Sequence, residues 1–200
     1  MIVADVEASG LNPQKNSIVS IGAVDFANPQ RQFYREPRIW DGAEINPDSL
    51  AINGFTPEQC TDPTKPSLNS VMHEFYEWLD PIEERTLVGQ NTSFDRDFLN
   101  DSFGRAGISW HFSYRTIDLH SIAYADHIMR GIEVPQEKKR TGLDLSAILA
   151  YVGIPEEPKP HNALMGAKVE AEAMSRILYG KNLLPEFKQY PVPKIFQRFQ

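Results

Sequence analysis

The pattern of apolar and polar positions divides the chain into a strand-rich first part and a second part in which strands and helices alternate. Three apolar runs, residues 2–6, 17–26 and 31–40, are joined by short links that contain Gly, Asn and Pro, which is typical of a three-stranded meander. Farther along, apolar side chains recur at helical spacing, first over residues 68–79. The other predicted elements are strands at 85–89 and 114–118, helices at 93–103, from the fifth strand to about 130, at 143–152 and at 163–179, and a polar, mobile loop at 133–141. This order predicts an α/β fold with a mixed five-stranded sheet and helices on both faces.

Composition indicates a single domain followed by a short tail. The chain has 200 residues, of which 41% are hydrophobic and 24% are charged, as in an ordinary globular protein with a substantial core. We expect one domain over residues 1–180, because Gly180 has the position of a helix stop. Residues 181–200 form a Pro-rich tail that would pack on the domain, the option that we favour, or dock on a partner. Its large apolar residues are Phe187, Tyr190, Ile195, Phe196 and Phe199.

The charge and the cysteine content exclude several classes of site. A net charge of −7 argues against a long contact with duplex nucleic acid, which needs a basic face. It does not argue against binding of a strand end at a metal site, because bound cations reverse the local charge. Cys60 is the only cysteine, which excludes an internal disulfide and a cysteine-based zinc site. We see neither a signal peptide nor an apolar run of about 20 residues that could cross a membrane, and we expect a cytoplasmic protein.

Two acids stand inside the first apolar run. Asp5 and Glu7 are separated by one residue, so in a strand their side chains point to the same face. Burial of two unpaired acids is costly, and the pair therefore suggests a metal site at the end of the strand. Asp95, at the start of a predicted helix, could approach the pair from the side. Carboxylate oxygens are preferred ligands of Mg²⁺ and Mn²⁺, and two such ions about 3.5–4 Å apart can promote phosphodiester cleavage.

A histidine completes a known combination of motifs. His161 begins the segment His-Asn-Ala-Leu-Met-Gly at the start of the last helix, and an unperturbed imidazole, which titrates near pH 6.5, suits a general base for water. Together with the Asp-Val-Glu triplet and Asp95, this segment resembles the DEDDh group of 3′–5′ exonucleases in the ribonuclease-H-like superfamily, over roughly residues 2–179. The resemblance implies a ribonuclease-H-like fold, two divalent ions (Mg²⁺ or Mn²⁺) held by Asp5, Glu7 and Asp95, and activation of water by His161.

The resemblance also implies a substrate and its contacts. Proteins of this group remove nucleotides from 3′ ends, here of single-stranded DNA or RNA, and they often belong to a larger nucleic-acid-processing complex. The turn of Ser9, Gly10 and Leu11 would approach the terminal nucleotide, with Leu11 as an apolar wedge against the base. Phe94 is a further candidate contact. An ordinary core leucine is an equal alternative for Leu11.

One position departs from the pattern of the group. The fourth acid of the motif is expected five residues after the histidine, where this chain has Gly166. Three explanations stay open. The protein has lost its chemistry and is a binding module of the same fold for nucleic acid or protein, or another carboxylate replaces the missing one, or Asp5, Glu7 and Asp95 suffice at a reduced rate. We favour the third explanation.

Glu170 is the candidate replacement for the missing acid. It lies one helical turn after Gly166 on nearly the same face, about 5.4 Å farther along the axis. Its reach is marginal, and we expect a solvated helix glutamate. The sequence therefore predicts a metal-dependent 3′–5′ exonuclease of normal or reduced activity, and the alternative is a catalytically disabled binding module. Replacing Gly166 by Asp should raise the activity of a weak enzyme.

Overall fold

The computed structural model describes residues 1–197, and a five-stranded sheet with strand order β3-β2-β1-β4-β5 lies at its centre. The strands are β1 (Ile2–Ala8), β2 (Ile18–Asp25), β3 (Gln32–Arg35), β4 (Leu87–Gly89) and β5 (Ile117–Asp118). The pairs β1–β2 and β2–β3 are antiparallel, whereas β1–β4 and β4–β5 are parallel. The predicted mixed sheet, a three-stranded meander extended by parallel strands, is therefore confirmed.

Helices cover both faces of this sheet. They are α1 (Pro47–Asn53), α2 (Pro57–Thr61), α3 (Leu68–Leu79), α4 (Thr92–Arg105), α5 (Leu119–Arg130), α6 (Leu145–Val152) and α7 (Ala163–Tyr179). No helix within residues 1–197 has the length and apolarity that are needed to span a bilayer.

The alternation of side chains along β1 decides which helical layer each residue meets. Ile2, Ala4 and Val6 belong to the core that includes α3 and α4, whereas Val3 belongs to the core that includes α5, α6 and α7. Asp5 and Glu7 share the face of Val3, because residues two apart in a strand point the same way. The two acids therefore point toward the layer that contains α7.

Two segments differ from the sequence prediction. The third strand ends at Arg35 instead of continuing to residue 40, because the chain leaves the sheet there and Arg38 forms only an isolated bridge with Ser67. The segment 133–141, predicted as a mobile loop, contains a two-stranded hairpin of β6 (Gln136–Glu137) and β7 (Arg140–Thr141).

The sequence pattern does not predict α1 and α2. Both are short, and both begin with a capping side chain, Asn46 or Thr56, that is followed directly by proline. Their apolar residues are too few to give a helical period, and the caps and prolines rather than the period mark their starts.

α7 is the central helix of the domain. Asn162 caps its start, and Gly180 in the left-handed conformation ends it, as the sequence predicts. Residues 169–177 are all buried, because the sheet packs on one side of the helix and α5 and α6 pack on another. The predicted apolar stripe is thus only a part of the buried surface of this helix.

Two residues of α7 form a buried ion pair. Glu172 and Arg176 are fully buried, and Arg176 Nε donates to Glu172 Oε1 at 2.8 Å. The guanidinium also donates to the carbonyl oxygens of Phe187 and Tyr190, and the carboxylate accepts from the backbone of Leu183 and Leu184. The pair therefore holds the start of the C-terminal tail against α7.

The large apolar residues of the tail differ in their placement. Phe187 and Phe196 are 5% and 1% exposed and pack into the core that includes α7. Ile195 is 46% exposed, and Phe199 lies outside the described residues. The described part of the tail thus packs largely on its own domain.

Candidate active site

β1 brings the first two acids to the same edge of the sheet. Asp5 and Glu7 are both half-buried. The β1–β2 register shifts between Glu7 and Ala8, and such a bulge re-aims the side chains beside it. At the end of α1, Asn53 is buried, and its side-chain amide donates to the carbonyl oxygen of Ala8 at 3.1 Å. This contact fixes the end of β1 beside Glu7.

A glycine in β2 allows α7 to begin close to these acids. Gly22 is the partner of Asp5 in the β1–β2 ladder. An ideal Cβ on Gly22 would lie 2.1 Å from the backbone of Ala163, so any other residue would push the start of α7 away from the sheet. The first turn of α7, with His161 just before it, therefore lies directly over this pair of strands.

Asp95 reaches the acids of β1 from α4. It is 4% exposed, and its Oδ1 accepts the N–H of Val6 at 3.0 Å. The pairing of β1 with β4 covers only Ile2 and Val3, so the N–H of Val6 has no strand partner on that side and is free to hold the carboxylate. This hydrogen bond places Asp95 beside the strand segment that carries Asp5 and Glu7.

Glu170 is also part of the cluster, which corrects the expectation of a solvated glutamate. The side chain is 4% exposed, and its Oε2 has no hydrogen-bond partner. Oε2 lies 3.0 Å from the ideal Cβ position of Gly89, at the end of the parallel strand beside β1. The periodicity of α7 could not reveal this burial, because the helix is enclosed around almost its whole circumference.

The side chain of Asp5 fills the space next to Gly166. An ideal Cβ on Gly166 would lie 2.0 Å from Asp5 Oδ2 and 2.9 Å from Asp5 Cγ. An acid therefore cannot be added at position 166 unless the Asp5 carboxylate moves. Gly166→Asp would therefore restore a ligand only together with a shift of the Asp5 side chain.

The cluster is electrostatically strained. Burial raises the pKa of Asp5 well above its usual range, and the charges of Glu170, Asp95 and Glu7 add to this effect. Burial likewise raises the pKa of Glu170, with the charge of Asp95 as the next cause. Each acid makes ionisation of the others harder, so a positive charge at this position would relieve the repulsion.

Two of the acids have pKa values near neutrality. Burial, followed by the charge of Glu157, raises the pKa of Glu7 from 4.5 to about 7, whereas the Asn53 side chain lowers it. Burial raises the pKa of Asp95 to about 7, although the N–H of Val6 opposes the shift. Perturbed carboxylates of this kind concentrate at functional sites.

His161 lies at the rim of the cluster. Its side chain is 34% exposed, and its Nδ1 lies 3.7 Å from Oε2 of Glu157, whose side chain is only 7% exposed. The other oxygen of Glu157 accepts the N–H of Asn162 at 2.9 Å. Glu157 is a site residue that the sequence analysis missed, since a single glutamate in a proline-containing loop carries no recognisable signal.

The carboxylate oxygens of the cluster are suitable ligands for a divalent cation, although the side chains are not arranged as a complete coordination site. Within residues 1–197, no three Asp, Glu, His or Cys side chains are arranged so that they could hold a metal ion as they stand. The unpartnered Oε2 of Glu170 and the mutual repulsion of buried carboxylates are nevertheless features that a hard cation would satisfy. Binding would require side chains of the cluster to reorient.

The predicted substrate contacts fall into two groups. Ser9 is buried, and its hydroxyl donates to the carbonyl oxygen of Glu44 and accepts the N–H of Ser17, so its side chain is engaged within the fold. Gly10 is buried against the side chain of Asn16. Both residues therefore stabilise the turn, and their contact with a terminal nucleotide stays a prediction.

The other two candidates remain accessible. Leu11 is 77% exposed, which excludes the alternative of a core leucine and leaves an apolar side chain in solvent just after β1. Phe94 is half-buried, and its ring lies 4.8 Å from that of Phe98. Both could contact a ligand at the edge of the sheet.

Comparisons with known proteins agree with this geometry. Residues 2–174 match the model of the exonuclease family. The chain is 31% identical to the 3′-5′ DNA exonuclease Cap18 of Escherichia coli over 178 residues, which cover 86% of this chain and 87% of that protein. It is 28% identical to the PolC-type DNA polymerase III of Thermotoga maritima over 178 residues, 88% of this chain but only 12% of the polymerase.

The fold is similar to that of solved exonucleases. A zinc-bound form of Escherichia coli exonuclease I in complex with single-stranded DNA matches with a TM-score of 0.70 and 16% identity. The match covers 90% of this chain and 40% of that chain. The ribonuclease-H-like fold inferred from the motifs is therefore confirmed.

Proposed function

The chain belongs to the exonuclease family, and we propose that it is a metal-dependent 3′–5′ exonuclease that hydrolyses phosphodiester bonds at the 3′ ends of single-stranded DNA or RNA. The observation that carries the proposal is the convergence of Asp5, Glu7, Asp95 and Glu170 in one buried cluster with raised pKa values. A group of four acids of which two are buried and two are half-buried is costly to the fold unless a cation neutralises it.

The four acids would hold two divalent ions, Mg²⁺ or Mn²⁺, which when bound supply an activated water and neutralise charge on the phosphate. We propose that Glu170 takes the part of the acid that is missing at Gly166. It comes from the same helix, one turn farther on, and its Oε2 is buried without a partner. This assignment favours replacement of the missing carboxylate over the sequence-based preference for three acids alone.

His161 would act as the general base. At the rim of the cluster it can accept a proton from the attacking water, while the water oxygen forms a bond to phosphorus and the P–O3′ bond breaks. The leaving 3′ oxygen takes a proton from solvent, and the products are a nucleoside 5′-monophosphate and a strand shortened by one nucleotide. Leu11 would rest against the terminal base as an apolar wedge, with Phe94 as a second contact.

The test is cleavage of 5′-labelled single-stranded DNA and RNA with Mg²⁺ or Mn²⁺ by the wild-type protein and by Asp95→Asn and Glu170→Gln. The asparagine variant keeps an oxygen that can accept the N–H of Val6, so it removes charge rather than structure. We expect a ladder that shortens from the 3′ end and is lost in both variants. Full activity of Glu170→Gln would contradict the part assigned to that residue.

Calorimetry with Mn²⁺ separates this proposal from a catalytically disabled binding module. We expect Asp5→Ala to lose Mn²⁺ binding, and unchanged binding would contradict the proposed metal site. Oligonucleotide binding by the wild-type protein without cleavage would favour the binding module instead. We also propose that the protein acts in the cytoplasm and within a larger nucleic-acid-processing complex. The chain spans 12% of the PolC-type polymerase that it matches.

A further inference from the structure

The loop before α7 carries a fifth acid that the proposed reaction does not use. Glu157 lies between the end of α6 and His161, and its side chain is 7% exposed. The loop contains Pro155, Pro158 and Pro160, and Pro160 rests against Gly54, where an ideal Cβ would lie 2.4 Å from Pro160 Cβ. Glu157 is therefore held on a loop with little freedom to move.

The two carboxylate oxygens of Glu157 have different neighbours. Oε1 accepts the N–H of Asn162, the residue whose side chain caps α7, at 2.9 Å. Oε2 lies 3.7 Å from Nδ1 of His161. The contact with Asn162 fixes the carboxylate. The contact with His161 places the charge of the carboxylate beside Nδ1 of the imidazole. The other ring nitrogen, Nε2, does not face the carboxylate.

A fifth acid at this position is unfavourable for the cluster itself. After burial, the charge of Glu157 is the largest cause of the raised pKa of Glu7, and it acts in the same direction on Asp5 and Glu170. The imidazole of His161 is a neighbour that can carry a positive charge, and there the carboxylate is favourable. Glu157 therefore stabilises a positively charged His161 and not the ionised acids of the cluster.

We propose that Glu157 is the positioning residue of His161: it orients Nδ1 toward its own carboxylate, presents Nε2 to the attacking water, and stabilises the imidazolium that forms. This inference rests on the proposed exonuclease function. In the reaction Nε2 takes the proton of the water. A carboxylate that orients a histidine base in this way is a recurrent arrangement in hydrolytic enzymes.

The test is Glu157→Gln in the full-length protein. Glutamine has the same shape and keeps a carbonyl oxygen for the N–H of Asn162, so the substitution removes the charge that faces His161 and preserves the contact that holds the loop. Glu156→Gln is the matched control, because Glu156 is the neighbouring residue and is exposed. We expect Glu157→Gln to lower kcat by about 10- to 100-fold with little change in KM, and Glu156→Gln to behave as wild type.

A second readout does not depend on catalysis. The nitrogen resonances of His161, assigned in ¹⁵N-histidine-labelled protein by their loss in His161→Asn, should shift in Glu157→Gln and stay in place in Glu156→Gln. Unchanged resonances, an unchanged kcat, or a rise in KM at constant kcat would each overturn the inference. If the wild-type protein cleaves neither substrate, the proposed function fails, and the resonances alone then decide whether Glu157 orients His161.

Discussion

Glu7→Gln should make the metal-free protein more stable at alkaline pH and less able to bind a cation. The substitution removes one charge from the cluster, and it keeps the size of the side chain and an oxygen for the Asn53 amide. Because burial and the charge of Glu157 raise the pKa of Glu7 from 4.5 to about 7, the folded state holds the Glu7 proton more tightly than the unfolded state. The stabilisation that this proton provides is complete below pH 4.5 and is lost as the pH rises to 7.

The size of the effect follows from the two pKa values. One pKa unit corresponds to about 1.4 kcal/mol, so at pH 8 the wild-type protein carries a penalty of roughly 3 kcal/mol that Glu7→Gln lacks. At pH 5 the folded state still holds the proton and the unfolded state has gained only a small part of its stabilisation by ionising, so the difference shrinks to less than about 1 kcal/mol. The variant should therefore gain stability over the wild type between pH 5 and pH 8.

Urea unfolding with EDTA at the two pH values measures this difference in the free energy of unfolding. Glu77→Gln, an exposed glutamate on α3, is the matched control and should show no such dependence on pH. Adding Mn²⁺ should reverse the order, because a ligand stabilises only the state that binds it and the wild type should bind it more tightly. An equal difference at both pH values would refute the placement of Glu7 among buried acids.

Three further substitutions test other parts of the structure. Gly166→Ala should weaken Mn²⁺ binding in calorimetry and lower cleavage, because its Cβ would displace the Asp5 carboxylate. This loss is expected although alanine favours a helix by up to about 1 kcal/mol relative to glycine. Undiminished Mn²⁺ affinity would contradict this packing. Leu11→Ala should raise KM for oligonucleotides by about tenfold. It should leave the melting temperature unchanged, since the side chain is 77% exposed. An unchanged KM would contradict the proposed contact of Leu11 with the terminal base. Arg176→Met should lower the free energy of unfolding by about 3–5 kcal/mol, because it leaves the buried charge of Glu172 unpaired, and a smaller loss in urea unfolding would show that solvent reaches the pair.

Periodicity predicts the long elements of this fold well and the short ones poorly. The helix over residues 68–79 and the helix over residues 163–179 have the bounds that the spacing of apolar residues predicts. The hairpin at 136–141 and the helices α1 and α2 are each too short to show a period, and local turns and caps determine them. The third strand was predicted too long, because alternation continues in sequence after the chain has left the sheet.

The residues of the candidate site that local sequence patterns mark could be predicted, whereas those whose surroundings come from distant segments could not. Asp5 and Glu7 could be placed together from the strand period alone, and Asp95 and His161 from their resemblance to a family motif. Glu170 was expected in solvent, because its surroundings are created by the sheet and helices that enclose α7 and not by α7 itself. Contacts between distant segments decide such positions, and no pattern within one segment records them.

The glycine at position 166 has a physical consequence that an absent ligand alone would not have. Without a Cβ at that position, the Asp5 carboxylate occupies the space beside α7, and the next acid on the helix, Glu170, lies buried against the end of β4. The cluster thus keeps four carboxylates although the motif has lost one, with the helical contribution moved one turn along α7. An aspartate at 166 would compete with Asp5 for the same space and would add a further charge beside acids whose pKa values are already raised. Gly166 and Glu170 are therefore best understood as a pair, and Gly166→Asp should lower, and not raise, the cleavage of 5′-labelled single strands by the protein.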